Sequence, residues 1–556
     1  FELDGKIGKA QLQWLKSDLD SIPADMPVIL FGHHPFKINN NVTARHELLS
    51  ATKDSNVIAF MNGHVHYYGN VVEDGVPINY ITYIKDNPNQ DFVTIEFSEN
   101  YYYIYKRKAT DHSKELWLSG RMNNTRKLRM TITNITARDN TVDVAVQIEN
   151  APDGVKSVQA RIDNYGPYTQ LIKNEGGIWS GSIDTGLYTP ELVAGTHFVG
   201  IEAFDNENKK WTEYKDYSTP SDNPTIKWVF ETGDSIQSSA TINEANVYVG
   251  SNDGNLYCID RDTGSQKWCI QTGDFVISKP AITSEGKIVF GSGDEFVYCA
   301  SADDGNIIWN TKLGGSVLSD PLTSEGRVFI GCGDGKIYCL NSASGEIVWE
   351  YQTDGLMRQR PILENGTLYA FVRDTYIWYA IDASTGQLIW RGNANTDESL
   401  FVCGDVRPVI ANGKLWCIDA QNTRPAYLSL DTGELAWTST LEKVSSRGMT
   451  TNGSTVFYSS NNGRQITAFD AETNQVVWQK DLRYDNKDRD LQEMQIDSAL
   501  VYNGNSLIHV AERGRITALN PDNGEILWCI DAAGYPERVF WSTPEATDGL
   551  VIATGI

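Results

Sequence analysis

What the sequence lacks narrows it first. Its eight cysteines include no pair at Cys-x-x-Cys spacing, which sets aside zinc ribbons and thioredoxin-like chemistry. No apolar run approaches the about 18 residues that could span a bilayer. Basic residues are scarce: 47 Lys and Arg stand against 72 Asp and Glu, for a net charge of -25. Nucleic acid and anionic membrane, which need basic surfaces, are therefore not expected as partners. The low hydrophobic content of a disordered chain is missing too, since 40% of residues are hydrophobic and 21% charged. At 556 residues the chain exceeds one ordinary core, so two to four domains are expected.

Histidine is also sparse, and its placement is informative. Four of the eight histidines fall in two short motifs, Gly32-His33-His34-Pro35 and Gly63-His64-Val65-His66. Each follows an apolar run, Val28-Ile29-Leu30-Phe31 and Val57-Ile58-Ala59-Phe60-Met61, that reads as a buried strand. Helix-like patterning over 16–22 and 44–52 precedes each one. The imidazoles thus leave the C-terminal ends of two strands, the rim where open α/β sheets bind ligands. Either motif alone reads as a satisfied core histidine or a chance His-x-His. Together, as neutral imidazoles suited to first-row metals, they read as half of a metal site.

Gln11-Leu12-Gln13-Trp14-Leu15, Pro27-Val28-Ile29-Leu30 and the two histidine motifs, in that order, resemble the later part of the calcineurin-like metallophosphoesterases. The resemblance implies two divalent or trivalent metal ions (Fe, Mn or Zn) and a phosphate mono- or diester substrate. It implies that His33 and His64 ligate one ion and His66 the other, with His34 supporting a ligand or facing the substrate and Asn62 orienting backbone. Two cations about 3.5–4 Å apart would supply a hydroxide at neutral pH and neutralise the phosphoryl oxygens. The family's earlier motifs, Asp-x-His, Gly-Asp-x-x-Asp and Gly-Asn-His, do not precede these residues. The expectation is therefore a fragment, with residues 1–118 the C-terminal half of that domain, binding metal weakly or not at all. Within it, 76–81, 92–97 and 101–105 read as antiparallel strands.

From 119 to 222 the pattern changes to short alternating strands, at 127–132, 141–146, 158–163, 179–183 and 196–203, spaced as in a β-sandwich of immunoglobulin type. His197 here is a lone strand histidine, expected to be structural. From 223 to 556 the sequence repeats. The unit is three strands, an Asp-x-x-Thr-Gly-like turn and a strand bearing Trp. It recurs at Trp268, Trp309, Trp349, Trp390, Trp437, Trp478 and Trp528, at intervals of 41, 40, 41, 47, 41 and 50 residues. Such a period is that of a propeller blade. The turn glycine answers a demand for positive φ, and the Trp can cover a blade seam while its N–H finds a backbone acceptor.

This unit resembles the W-motif of the quinoprotein, or PQQ-like, propellers. Trp228 has no turn of its own upstream, and 539–542 and 550–554 read as the first two strands of a unit that then stops. Eight blades are expected, the last closed from both ends and short of its third strand, with seven as the alternative; Ile556 is read as a second truncation. Cys258, Cys299, Cys339 and Cys417 recur after Tyr or Trp and are assigned to one core-packing slot. Quinoprotein enzymes stack the cofactor on an adjacent-cysteine disulfide, which is missing here, so PQQ is not expected. Asp481, Asp485, Asp488 and Asp490 read as a solvated loop.

The whole is thus a multidomain chain: a partial α/β phosphoesterase sandwich, an all-β Ig-like sandwich and an all-β propeller. The expected function is hydrolysis of phosphate esters, with a propeller face that binds a protein or glycan. The alternative is a non-catalytic propeller scaffold with a vestigial phosphoesterase domain. The domain combination suggests a bacterial periplasmic, envelope or secreted protein.

Overall fold

The computed structural model describes residues 9–32, 52, 55–62, 69–73, 76–80, 92–98, 101–107, 113–121, 128–138, 140–151, 154–163, 167–187, 195–206, 210–219, 224–372, 375, 377–393, 408–419, 424–441, 449–460, 465–482, 499–510, 515–531, 542–547 and 549–555. Among these the regular structure is almost all strand, and no helix is long and apolar enough to cross a membrane.

The first helix, α1 (Lys9–Asp20), begins earlier and ends sooner than the 16–22 pattern suggested. The apolar runs ahead of the histidine motifs form β1 (Val28–Gly32) and β2 (Val57–Asn62), which pair in parallel. Two further strands, β3 (Gly69–Glu73) and β4 (Val76–Tyr80), complete a sheet in the order β1-β2-β4-β3. The expectation that 76–81 pairs antiparallel with the strands after it is corrected here. β4 lies parallel to β2 and joins the first sheet. A separate antiparallel sheet follows, made of β5 (Phe92–Phe97), β6 (Tyr101–Arg107) and β7 (Lys114–Arg121). Strand alternation sends Tyr102 and Ile104 of β6 inward against Ile58, Ala59 and Met61. The buried Tyr102 hydroxyl donates to the Ile58 carbonyl at 3.2 Å.

Seven strands build the next unit: β8 (Arg129–Arg138), β9 (Thr141–Glu149), β10 (Val155–Ile162), β11 (Thr169–Lys173), β12 (Trp179–Asp184), β13 (Gly195–Asp205) and β14 (Lys210–Thr219). Their order is β14-β13-β10-β11-β12-β9-β8. The Lys215 ammonium of β14 donates to the Ile132 carbonyl of β8, so the two outer strands meet. Inward residues of both layers, Val142, Val144, Val146, Val158, Ala160 and Ile201 among them, form one core. Period-2 alternation made five of these strands legible. β11 and β14 were missed: β11 is only five residues, and β14 (KWTEYKDYST) carries too many polar residues to stand out.

The repeat folds as seven four-stranded antiparallel sheets, spanning 241–271, 281–312, 322–352, 362–393, 409–438, 449–481 and 499–531, and an eighth of two strands at 545–552. Second and third strands are buried almost throughout, as a sheet packed on both faces requires. The first strands of the blades neighbour one another and line the axis. That of the eighth blade meets those of the seventh and the first, so the ring closes. Of the 539–542 reading, 539–541 lie outside the described residues and Ser542 is in no strand; the described strands of the eighth blade are Glu545–Thr547 and Leu550–Ile552. At the outer edge of blade seven, Gly195 of β13 pairs with Asp531, joining sandwich to propeller.

Candidate functional site

At the end of the first sheet, Gly32 and Asn62 are register partners, and Tyr80 ends level with Asn62. The strands that feed the two histidine motifs therefore stop side by side at one edge. His33, His34, His64 and His66 themselves lie outside the described residues, as do Asp485, Asp488 and Asp490. Among the described residues, no group of three or more His, Cys, Asp or Glu could hold a metal ion. The buried His197 sits with Nδ1 2.6 Å from Asp163 Oδ2, while Asp163 Oδ1 accepts the Phe198 N–H at 3.0 Å. That carboxylate pins a turn to a strand, a structural use of the residue.

In the ring, the repeat residues are consumed by packing. The indole N–H of Trp228 donates to the Arg261 carbonyl at 2.9 Å, Trp309 to Ser342 at 3.0 Å, Trp349 to Ala383 at 3.1 Å, Trp390 to Leu430 at 2.7 Å and Trp478 to Pro521 at 2.9 Å. Each acceptor belongs to the next blade, so every one of these rings seals a seam. The glycine of the next blade's turn lies under the ring: φ is 72–75° at Gly264, Gly305, Gly345, Gly386, Gly433 and Gly524, and Asn474 takes the same region at 62°.

The thiols are consumed as well. Cys258, Cys299 and Cys339 lie on third strands opposite Trp268, Trp309 and Trp349. Cys417 does not belong with them: it lies on the second strand of blade five, between Trp416 and Ile418. Blade five departs from the common period, so sequence spacing misaligned it. Burial pushes the Cys258 thiol up to about 12 and those of Cys299 and Cys332 to about 11. None is a thiolate at neutral pH, which leaves them neither nucleophiles nor ready metal ligands.

A different set lies at the axis. Ahead of the first strands of blades one to four sits a buried polar residue, Ser238, Ser278, Ser319 or Gln359. The Ser238 hydroxyl donates to the Ser278 carbonyl at 3.0 Å and that of Ser319 to the Gln359 carbonyl at 2.9 Å. These bonds run from blade to blade and fix the position that follows, held in turn by Ser239, Lys279, Asp320 and Arg360. The Lys279 N–H donates to Asp320 Oδ1 at 2.8 Å, and its ammonium pairs with Glu545 of the eighth blade. Arg358 and Arg360 are exposed. The mouth thus presents alternating charge on a rigid frame, and its guanidinium groups suit carboxylates.

Sequence reading passed over this set. The signal was present as a charged residue before proline at a fixed period, in Lys279-Pro280, Asp320-Pro321 and Arg360-Pro361. A second missed feature is the Asp-x-x-x-Tyr spacing. Tyr257 donates to Asp253 at 2.7 Å, Tyr298 to Asp294 at 2.7 Å and Tyr338 to Asp334 at 2.6 Å. Asp253 and Asp294 also accept the N–H of Gly233 and Gly273. They are clasps between blade loops.

A family model described as outer membrane protein assembly factor BamB matches residues 201–310, 277–335, 294–424 and 426–554. No curated protein matches the sequence. Among solved structures, BamB from Moraxella catarrhalis is similar at 20% identity and a TM-score of 0.45, covering 57% of this chain and 91% of that one. Sqt1 from Saccharomyces cerevisiae is similar at 15% identity and 0.45, covering 58% and 93%. The quinohemoprotein alcohol dehydrogenase from Comamonas testosteroni is similar at 12% identity and 0.45, covering 56% and 68%.

Proposed function

Since the chain belongs to the family described as outer membrane protein assembly factor BamB, we propose that it is a non-catalytic scaffold of the bacterial envelope or periplasm, whose propeller binds a protein at its axial mouth. The observation that carries this reading is the division of labour in the ring. Tryptophans, turn glycines and cysteines are spent on seams and cores, while Arg358, beside the axial frame, is exposed. Interfaces favour arginine because its planar fork meets carboxylates and backbone carbonyls with little loss of freedom. The sandwich, which meets the propeller where Gly195 pairs with Asp531, is read as an immunoglobulin-type spacer.

A photo-crosslinking residue placed at Arg358 in cells tests this reading. Expected is a discrete protein adduct that disappears when Arg360 is replaced by Glu. Adducts from the sandwich surface alone would overturn it.

A second reading rests on a different observation, the level ends of β1 and β2 at Gly32 and Asn62. A phosphoesterase of the calcineurin-like kind would use that edge, with His33, His64 and His66 holding the metal ions and His34 facing a phosphate ester. Bound metal would supply the nucleophilic hydroxide and charge neutralisation. Metal content of the purified chain against His64→Ala, read beside p-nitrophenyl phosphate turnover, tests it. Metal that stays unchanged in the variant would sink this assignment and leave the scaffold reading standing.

A further inference from the structure

Asn-Gly pairs recur where first strands turn back into second strands, at the end of the ring away from the axial frame, and the structure divides them into two kinds. Blades four and five turn through two residues each: Asn365-Gly366 between the register partners Glu364 and Thr367, and Asn412-Gly413 between Ala411 and Lys414. Both residues of each pair have positive φ, 47° and 77° in blade four and 47° and 69° in blade five. That is the type I′ geometry such short loops need. In blades six and seven the pairs open longer loops, between Thr451 and Val456 and between Tyr502 and Leu507, where Gly453 and Gly504 take positive φ and their asparagines do not. A further pair, Asn523-Gly524, lies in the tight turn under Trp478.

The side chains divide in the same way. Asn452 Oδ1 accepts the N–H of Ser454 at 3.1 Å and of Thr455 at 2.7 Å, and the Gly453 N–H donates to Thr451 Oγ1 at 2.9 Å. Asn503 Oδ1 accepts the N–H of Asn505 at 3.1 Å and of Ser506 at 2.8 Å. Asn523 Oδ1 accepts the Glu525 N–H at 3.0 Å, while the Gly524 N–H donates to the Asn520 carbonyl at 2.9 Å. Such bonds hold an asparagine side chain to its own turn. Asn365 and Asn412 are exposed and have no such hold: among the described residues their side chains make one long hydrogen bond, 3.4 Å from Asn365 Nδ2 to Glu364 Oε1. A Cβ on Gly366 or Gly413 would meet nothing within 4 Å. Nor does the turn need the amide, because Glu325-Gly326 of blade three makes the same loop between Ser324 and Arg327 with φ of 47° and 74°.

We infer that Asn365 and Asn412 are modification sites of the ring, at which the chain converts its own asparagine to aspartate and isoaspartate. Water is the one co-reactant. The Gly366 amide nitrogen gives up its proton and bonds to Asn365 Cγ; the bond from Cγ to Nδ2 breaks and ammonia leaves, closing a succinimide. A following glycine favours this step because no side chain screens the attacking nitrogen. Water then opens the succinimide at Cγ, giving aspartate, or at the backbone carbonyl carbon, giving isoaspartate. Either product adds a negative charge, and isoaspartate lengthens the backbone by one methylene. A two-residue loop of fixed register has no slack for that insertion, and both turns brace a seam. The Gly366 carbonyl accepts the Ala383 N–H at 2.9 Å, and the Ala383 carbonyl accepts the Trp349 indole of blade three at 3.1 Å. Lys414, next to Gly413, donates to the Ala471 and Glu472 carbonyls of blade six at 2.7 and 2.8 Å. Conversion at Asn365 therefore loosens the seam of blades three and four, and conversion at Asn412 that of blades five and six.

The test follows the 556-residue chain through incubation at mildly alkaline pH, with peptide mapping by mass spectrometry that separates isoaspartate from aspartate. At Asn452, Asn503 and Asn523 at least two hydrogen bonds must break first, each worth a factor of about 2–10. Asn365 and Asn412 should therefore convert about tenfold faster or more. In the converted protein the Ala383 amide should exchange about fivefold faster or more. Asn365→Glu, which copies the turn of blade three, should keep its initial Ala383 exchange rate through the same incubation. Equal conversion at all these positions, or conversion led by Asn452 or Asn503, overturns the inference. So does converted protein whose Ala383 amide exchanges as it did before incubation, since the turn would then not brace the seam.

Discussion

The seam between blades gives the sharpest energetic prediction, because the ring contains its own control. Gly345 has φ of +74°, and a Cβ there would fall 2.6 Å from Trp309 Cε3 and 2.8 Å from Thr311 Oγ1. Gly366 has φ of +77°, and a Cβ there would meet nothing within 4 Å. Alanine at Gly366 meets the backbone penalty alone, about 1–2 kcal/mol. Alanine at Gly345 meets the same penalty and must also move an indole that is 9% exposed and donates to Ser342 at 3.0 Å. Losing that bond costs about 1 kcal/mol, and overpacking a tight contact about 1–3 kcal/mol more. Gly345→Ala should therefore destabilise by about 3–6 kcal/mol, against about 1–2 for Gly366→Ala. Urea midpoints would report the difference, with hydrogen exchange locating it at the seam of blades two and three. Equal effects would refute the claim that Trp and glycine together hold the seams.

The axial ion pair between Lys279 and Glu545, with side chains 17% and 26% exposed, should lose about 1–2 kcal/mol on Lys279→Met or Glu545→Gln, and the double variant should lose less than the two combined. Acid should weaken the blade turns. The Ser384 hydroxyl, then Thr385, hold Asp382 down to about 2 against an unperturbed 3.8. Because the folded value is the lower one, its contribution is complete above about pH 4 and is lost as pH falls toward 2. Asp382→Asn should flatten the stability profile across that window, as acid titration followed by tryptophan fluorescence would show. Iodoacetamide on the native protein should label the exposed Cys269 while sparing Cys258, Cys299, Cys332 and Cys339, which burial holds as thiols. Peptide mapping that found Cys339 labelled early would contradict the packing described for the third strands.

How much of this was legible follows from which interactions are local. The Trp and its turn lie within one strand pair, so their spacing survives in sequence, and the positive φ of Gly305 or Gly386 could be anticipated from turn chemistry. The axial set is assembled from residues 40 or more apart whose common property is a register, visible only once Pro280, Pro321 and Pro361 are aligned. Cys417 shows the opposite failure: Trp-Cys looked like Tyr-Cys, yet the irregular length of blade five put it on a different strand. In the first sheet, apolar runs announced β1 and β2, whereas the pairing of β4 with β2 is a long-range choice that periodicity does not encode.

Ring closure ties these observations together energetically. In an open array each repeat is held by its neighbours alone, and the two terminal repeats each leave a face uncovered. Here those faces belong to blades one and seven, and both are covered by the same small element: Ile552 and Leu550 serve one, Val551 and Ala553 the other. Trp228 adds the outer seal to blade one from the opposite end of the repeat region. Among the described residues, the faces of blades one and seven are thus both covered by the strands Glu545–Thr547 and Leu550–Ile552. Ile552→Asp should accordingly speed hydrogen exchange in blades one and seven together, though they lie at opposite ends of the repeat in sequence, and leave blade four, farthest around the ring, as it was.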